Sequence, residues 1–242
     1  MKLDELSVRD FIDELSFAKA TPGGGSVAAL CGALGAALSA MVAGLTGAKE
    51  KFKDRWATMA EIKRKANLLR THFLGLVQED TDAYQEVVAA LKLPRKTEQQ
   101  RSSRGEALQA ALKKAATVPL ETLRASEGLM EIAQQAVEQG DPITVTDAGA
   151  AVHLAYTAGQ IAAYNVRVNL SQIEDEGFRL ECSREVEDRL TRLKARFAEM
   201  EDRLDTKLKG GNGESVKGRN GETGKGGNGE TASRRNGEWE RE

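Results

Sequence analysis

Cysteine, histidine and proline are scarce in this sequence, and neither sign of charge prevails. The two cysteines, Cys31 and Cys182, stand far apart and out of metal-ligand spacing. They suit a reducing compartment and no disulfide framework. The two histidines, His72 and His153, are too few for a zinc site of His and Cys ligands, so no metal is expected. The four prolines leave long stretches free to be helical. Lysine and arginine number 35 against 37 acidic residues, a net charge of -2, which gives no basic excess to meet nucleic acid. A charged fraction of 30 % and a mean hydropathy of -0.46 fit a soluble chain. The opening MKLDELSVRDFIDEL is acidic and amphipathic, without the basic start and apolar core of a signal peptide. A cytoplasmic location is expected.

One stretch lacks charge altogether. Between Lys19 and Lys49 the chain reads ATPGGGSVAALCGALGAALSAMVAGLTGA. A phosphate loop of the Walker type is excluded, because Gly25 is followed by Ser26 with no Gly-Lys-Ser/Thr ending and no preceding strand. The run is long enough to span a membrane, but Ala, Gly and Ser dominate it and the chain offers no second span. A buried central helix fits better, and no membrane partner is expected. Ala28, Gly32, Ala36, Ala40 and Gly44 recur every fourth residue, which lets neighbouring helices approach closely. The glycines ahead of that helix leave two readings open. Its free N–H groups, with Ser26, form an anion site, or the glycines only ease the entry of the chain.

Elsewhere the apolar period is helical. Ser7 and Asp10 form a capping-box pair that opens a helix with Val8, Phe11, Ile12 and Leu15 on one face. A long helix runs from Phe52 to Leu91 and ends before Pro94. A third covers about 104–138, where Pro119 is expected to kink or split it. Another spans 147–170. The last, about 178–208, carries Val186, Leu190, Leu193, Phe197, Met200 and Leu204, a heptad-like seam suited to a partner helix. ITVTD at 143–147 is the one strand-like run. The expected fold is an all-α antiparallel bundle of about five or six helices over residues 1–208. Beyond it, residues 209–242 hold an eight-residue Asn-Gly-Glu repeat with almost nothing to bury, expected to be a disordered tail.

Some polar residues interrupt the apolar pattern. Asp80 sits in the seam of the long helix, between Leu76 and Tyr84. A carboxylate there is costly unless paired or used, or else the face turns to water with Glu79 and Asp82. Asp147 opens a nearly uncharged helix, as an N-cap or as a working carboxylate. Asn165, Arg167 and Asn169 alternate with apolar residues near that helix's end, and an arginine so placed suits a carboxylate.

TPGGGSVAALCGALGAALSAMVAGLT, EDTDAYQEVVAALKLP, ALKKAATVPLE, VTDAGAAVHLA and NVRVNL occur in that order. The chain resembles the formimino-tetrahydrofolate cyclodeaminase and methenyl-tetrahydrofolate cyclohydrolase family over about residues 3–205. The resemblance implies an all-helical homodimer that processes one-carbon units on folate, with a tetrahydrofolate derivative as substrate and no bound cofactor. By position, Pro22, Gly23, Gly24, Gly25 and Ser26 resemble the family's folate-contact loop. Asp80, Tyr84 and Asp147 resemble its polar site residues, and Asn165, Arg167 and Asn169 its Asn-Val-Arg-Ile-Asn run. The anionic glutamate tail of folate suits the glycine-loop helix terminus or Arg167. Three departures stand out: Gly140-Asp141-Pro142-Ile143 replaces a Gly-Asn-Pro-Asn-like run, Ile161 replaces a common glycine, and Arg101 stands where a lysine is expected. This sequence carries no formiminotransferase domain, so a single activity is expected. That activity is hydrolysis of 5,10-methenyl-tetrahydrofolate to 10-formyl-tetrahydrofolate. Its alternatives are cyclodeamination of formimino-tetrahydrofolate and an inactive helical scaffold.

Overall fold

Small residues at every fourth place let one helix pack closely against three others. The computed structural model describes residues 2–214, with side-chain surroundings for 2–209. It contains α1 (Val8–Ser16), α2 (Gly24–Gly47), α3 (Trp56–Leu91), α4 (Glu98–Gln139), α5 (Val145–Leu170) and α6 (Glu176–Glu214). Among the described residues there is no strand. The repeat at 215–242 lies outside the described residues, and α6 runs past the boundary expected at 208.

The long helix α2 packs on α3, α4 and α5. Ala28, Ala29, Gly32, Ala33, Ala36 and Ala40 are buried along it. The Phe73 ring of α3 lies over Gly32, where a β-carbon would come within 2.6 Å of Cζ. Helix α5 runs antiparallel to α2: Gly24 lies beside Asn165, and Gly35 beside Ala151 and Leu154. Of the described helices, α2 alone is long and apolar enough to cross a membrane, yet 56 % of its most apolar window is buried in the bundle.

Capping follows the sequence. The Ser7 hydroxyl accepts the Asp10 N–H at the start of α1, and Thr97 with Gln100 forms a full capping box at α4. The strand-like ITVTD is helical instead. Pro142–Thr144 form a 3-10 turn that leads directly into α5. The buried Asp141 holds that turn by accepting the Ile143 N–H at 3.3 Å. Its own N–H reaches the Thr46 hydroxyl at 2.9 Å, and its carboxylate pairs with Lys49.

Pro119 does not break α4, which is continuous from Glu98 to Gln139. Proline lacks the N–H that would bond the carbonyl four residues back, so Ala115 O loses its intrahelical partner. The Asn169 side chain of α5 donates to that oxygen at 2.6 Å. The helix continues through the proline with a neighbour supplying the missing donor.

The heptad-like seam of α6 is also used within the chain. Val186, Leu193, Met200 and Leu204 are buried against α4 and α5. The expectation that this seam packs on a partner helix is therefore corrected.

Candidate active site

The glycine loop delivers α2 to a carboxylate. Pro22 is buried after a cis Thr21–Pro22 bond, and Gly23 caps the helix with extended backbone. The first backbone bond of the helix runs from Val27 N–H to Gly23 O at 3.0 Å. The N–H groups of Gly24, Gly25 and Ser26 therefore have no earlier carbonyl within the helix. The partly buried Asp80 of α3 comes to this end. A β-carbon on Gly25 would overlap its carboxyl group, with Oδ2 only 2.8 Å away. Gly25 is the position where close approach demands glycine. Gly24 is exposed, meets Asn165 Nδ2 only at ordinary contact distance, and no glycine of the loop takes a positive φ.

Ser26 is fully buried. Its hydroxyl lies 3.0 Å from Asp80 Oδ2 and 3.1 Å from the Val77 carbonyl, and Thr81 Oγ1 stands 3.4 Å away. The hydroxyl is thus engaged with the carboxylate and the α3 backbone. Burial pushes the Asp80 carboxyl above its ordinary range, and the Ser26 hydroxyl and backbone N–H pull partly back. The carboxyl group of Asp80 itself stands at this helix terminus.

The other candidates divide. Tyr84 lies one turn beyond Asp80 on α3 and is 43 % exposed. Asn165 borders Gly24 with Ile161, and its Nδ2 donates to the Ile161 carbonyl at 2.9 Å. Tyr84 shares the Asp80 face of α3, and Asn165 lies against Gly24, next in the chain to the Gly25 that Asp80 covers.

Arg167 does not join them. It pairs with Glu187 of α6 at 2.7 Å, so its carboxylate is an internal one. Asn169 is occupied by Ala115 O. Both groups expected to meet the glutamate tail thus have a partner within the chain: Asp80 at the helix terminus and Glu187 at Arg167. Arg101 is exposed at the start of α4, donating to Lys96 O at 3.2 Å. Arg104, one turn further on, reaches Leu91 O at 3.3 Å. At a rise of 1.5 Å per residue, Leu91 lies about 16 Å along α3 from Asp80.

Asp147 is the largest displacement. It is in the first turn of α5, whose N-cap is Thr144. Asn165, the residue of α5 beside the glycine loop, is 18 positions later, about 27 Å along the axis. Within one chain Asp80 and Asp147 lie at opposite ends of the bundle. Sequence reasoning missed Gly25 as the closest contact, and Val77 O and Thr81 as parts of the site. The signal available was the (i, i+3) and (i, i+4) spacing of Val77, Asp80 and Thr81, which puts them on one face of α3. Among the described residues, no three His, Cys, Asp or Glu side chains gather as metal ligands.

Fold and site together define a class: an all-helical bundle that presents a partly desolvated carboxylate at the N-terminus of its central helix. The family model described as formiminotransferase-cyclodeaminase matches residues 7–188. The chain is 36 % identical over 181 residues to a methenyltetrahydrofolate cyclohydrolase of Methylorubrum extorquens, covering 75 % of this chain and 87 % of that protein. It is 30 % identical over 200 residues to the formimidoyltransferase-cyclodeaminase of Sus scrofa, covering 83 % of this chain and 37 % of that longer protein. A crystal structure of formiminotetrahydrofolate cyclodeaminase from Thermotoga maritima superposes with a TM-score of 0.74 at 30 % identity, over 86 % of this chain and 98 % of that one. This chain belongs to the formiminotransferase-cyclodeaminase family.

Proposed function

We propose that this folate one-carbon enzyme hydrolyses 5,10-methenyl-tetrahydrofolate to 10-formyl-tetrahydrofolate, with Asp80 as its working carboxylate. One observation carries the reading: a carboxylate drawn partly out of water, held by Ser26 and open beside Gly24, Asn165 and Tyr84. The methenyl substrate spreads a positive charge over N5, the bridging carbon and N10. An ionised Asp80 steadies that cation. As water's oxygen bonds to the bridging carbon, Asp80 takes one of its protons. It returns that proton to N5 as the C–N5 bond breaks and its electron pair moves to nitrogen. The remaining hydroxyl proton leaves to solvent, so each turnover releases one proton. The 36 % identical cyclohydrolase, matched over most of its length, supports this substrate.

The Thermotoga structure favours a second reading. In cyclodeamination, N10 adds to the formimino carbon as its proton passes to the formimino nitrogen, and the carbon–nitrogen bond to that amine then breaks as ammonia departs with a second proton from the same carboxyl group. An ultraviolet assay of the purified protein on each substrate separates the two. Loss of methenyl absorbance supports hydrolysis. Its growth from formimino-tetrahydrofolate supports deamination, and no change on either overturns both.

The reading extends to a homodimer. Helix α2 leaves Leu34 (50 %), Met41 (41 %) and Leu45 (46 %) exposed in one stripe, and such a stripe suits a second copy. A two-fold axis across the middle of α2 would set the Asp80 end of one copy against the Asp147 end of the other. Mixing Asp80→Asn and Asp147→Asn subunits then restores one intact site in each hybrid dimer. A mixture no more active than its parts would sink this arrangement.

A further inference from the structure

Asp80 has two carboxyl oxygens in different surroundings. Oδ2 accepts from the Ser26 hydroxyl at 3.0 Å, on the buried side of the carboxylate. Oδ1 stands over Gly25 and takes no side-chain hydrogen bond among the described residues. Asp80 as a whole is only partly buried, and the Ser26 backbone N–H adds to the hydroxyl in favouring its ionised form. The Ser26 hydroxyl is itself held between two acceptors, Asp80 Oδ2 and the Val77 carbonyl, with Thr81 Oγ1 at 3.4 Å. A hydroxyl has one proton to give. When Asp80 is ionised, the carboxylate is the stronger acceptor and draws that proton.

We infer that Ser26 is the positioning residue of this site: by committing Oδ2 of Asp80 as an acceptor, it leaves Oδ1 to take and return the proton. The inference rests on Asp80 being the acid–base carboxylate proposed above. Ser26 moves no proton of its own. While Asp80 is ionised, Oδ2 accepts from the Ser26 hydroxyl, so the proton taken from water goes to Oδ1, the oxygen over Gly25. Without Ser26 either oxygen could hold the proton, and half of those arrangements aim it into the bundle.

Few other charges face Asp80. Glu79 and Asp82 flank it on α3, and Lys114 of α4 faces those two carboxylates. From α2 comes the uncharged loop with Asn165 of α5 across Gly24, and the 3-10 turn Leu3–Glu5, with Asp4 and Glu5, packs on α3 where Leu3 N–H reaches Gln78. The proton affinity of Asp80 therefore answers mainly to burial and to Ser26.

The test compares Ser26→Ala, Ser26→Cys and Ser26→Thr in the full-length protein, with thermal melts to establish folding. In Ser26→Ala, kcat on methenyl-tetrahydrofolate should fall roughly 10-fold, the scale of one hydrogen bond to a charged group, with KM within about twofold. The acid limb of the kcat profile should move to higher pH, because a bond that favoured the ionised form is gone. Ser26→Thr should restore both readouts, and Ser26→Cys, which keeps nearly the same volume, should fall between. In an Asp80→Asn background, Ser26→Ala should cost nothing further. A kcat within twofold and an unmoved limb in folded Ser26→Ala would overturn the inference, as would a loss confined to KM. A carbon-13 titration of the Asp80 carboxyl group gives a readout independent of turnover. If the protein turns over neither folate, an upward shift in Ser26→Ala still supports the coupling, and an unchanged titration refutes it.

Discussion

Helices α2 and α6 are both long and both cover the same bundle, but they are held by opposite means. Helix α2 is fastened by what its residues lack. Alanine and glycine let the Phe73 ring and the α5 backbone come close, and no ion pair bridges its packed faces among the described residues. Helix α6 is fastened by large side chains and a ladder of charges. Arg124 grips Glu185 through two bonds of 2.7 Å, Arg192 meets Glu127 at 2.8 Å, Arg196 meets Glu131 at 2.7 Å, and Arg203 pairs with Glu138. Long polar side chains adjust, whereas a close-packed small-residue contact does not. The helix whose N-terminus meets Asp80 is the one with no slack.

The largest expected effect lies where α2 meets chemistry. Asp80→Asn keeps size and polarity and removes the charge and the proton acceptor. Turnover should fall by roughly 10²-fold or more, the scale of a general acid–base group. Stability should move the other way. A carboxyl group whose folded pKa is raised binds its proton more tightly when folded. Its contribution is fully present below the unfolded pKa and lost as pH rises through the folded pKa. Asp80→Asn should therefore melt at or above the parent near neutral pH, with the advantage shrinking in acid. Near-parental turnover in the folded variant on both folate substrates would move the assignment to Asp147.

That carboxylate was visible in the sequence as an interruption of an apolar seam, and the glycine loop as a break before an uncharged helix. Their contact was not visible. Ser26 and Asp80 are 54 residues apart, and no local spacing reports a hydrogen bond between two helices. The helical class, the caps at Ser7 and Thr97 and the central place of α2 followed from period and composition. The passage of α4 through Pro119 did not, because the donor that permits it sits on α5. Asp80 and Asp147 were paired by family position, and only the antiparallel run of α5 against α2 shows them at opposite ends of one chain.

The rigid side of the comparison can be broken by one methyl group. Gly32→Ala puts a β-carbon into the Phe73 ring, which is fully buried and has no room to swing away. A destabilisation of about 1–3 kcal/mol is expected from such overpacking, measured by denaturant unfolding. Gly159→Ala under α6 meets the tip of Leu193 rather than an aromatic ring. It should cost less, and the reverse order would contradict the contrast between the two helices.

Asn169→Ala tests a neighbour's repair of a helix. It strips the donor from Ala115 O, which is half-buried, and should cost about 1 kcal/mol. Pro119→Ala restores an N–H four residues on, so the same Asn169→Ala change in that background should cost less. Equal losses in both backgrounds would show that the Asn169 bond does not answer to the proline.

The smallest effect is expected on α6. Arg196 and Glu131 are both substantially exposed, with side-chain accessibilities of 38 % and 57 %. Water screens such a pair, and holding two long side chains in one geometry costs rotamer entropy. Arg196→Ala should therefore lower stability by about 0.2–1 kcal/mol, and the difference should shrink as salt is raised from low to molar concentration. The better-shielded rung behaves differently. Arg124 and then Arg189 hold the Glu185 carboxyl down to about 2, against the opposing effect of partial burial. A depressed carboxyl pKa gives stability that is present above the unfolded value and lost as pH falls through the folded one. Glu185→Gln should thus cost stability at neutral pH, less below about pH 4 where the unfolded chain is protonated, and little near pH 2. Catalytic turnover should hold through all of these changes, because the ladder joins α6 to α4 and touches none of α2, Ser26 or Asp80. A loss of turnover in folded Arg196→Ala as large as that in Asp80→Asn would show that the adjustable helix sets the site after all.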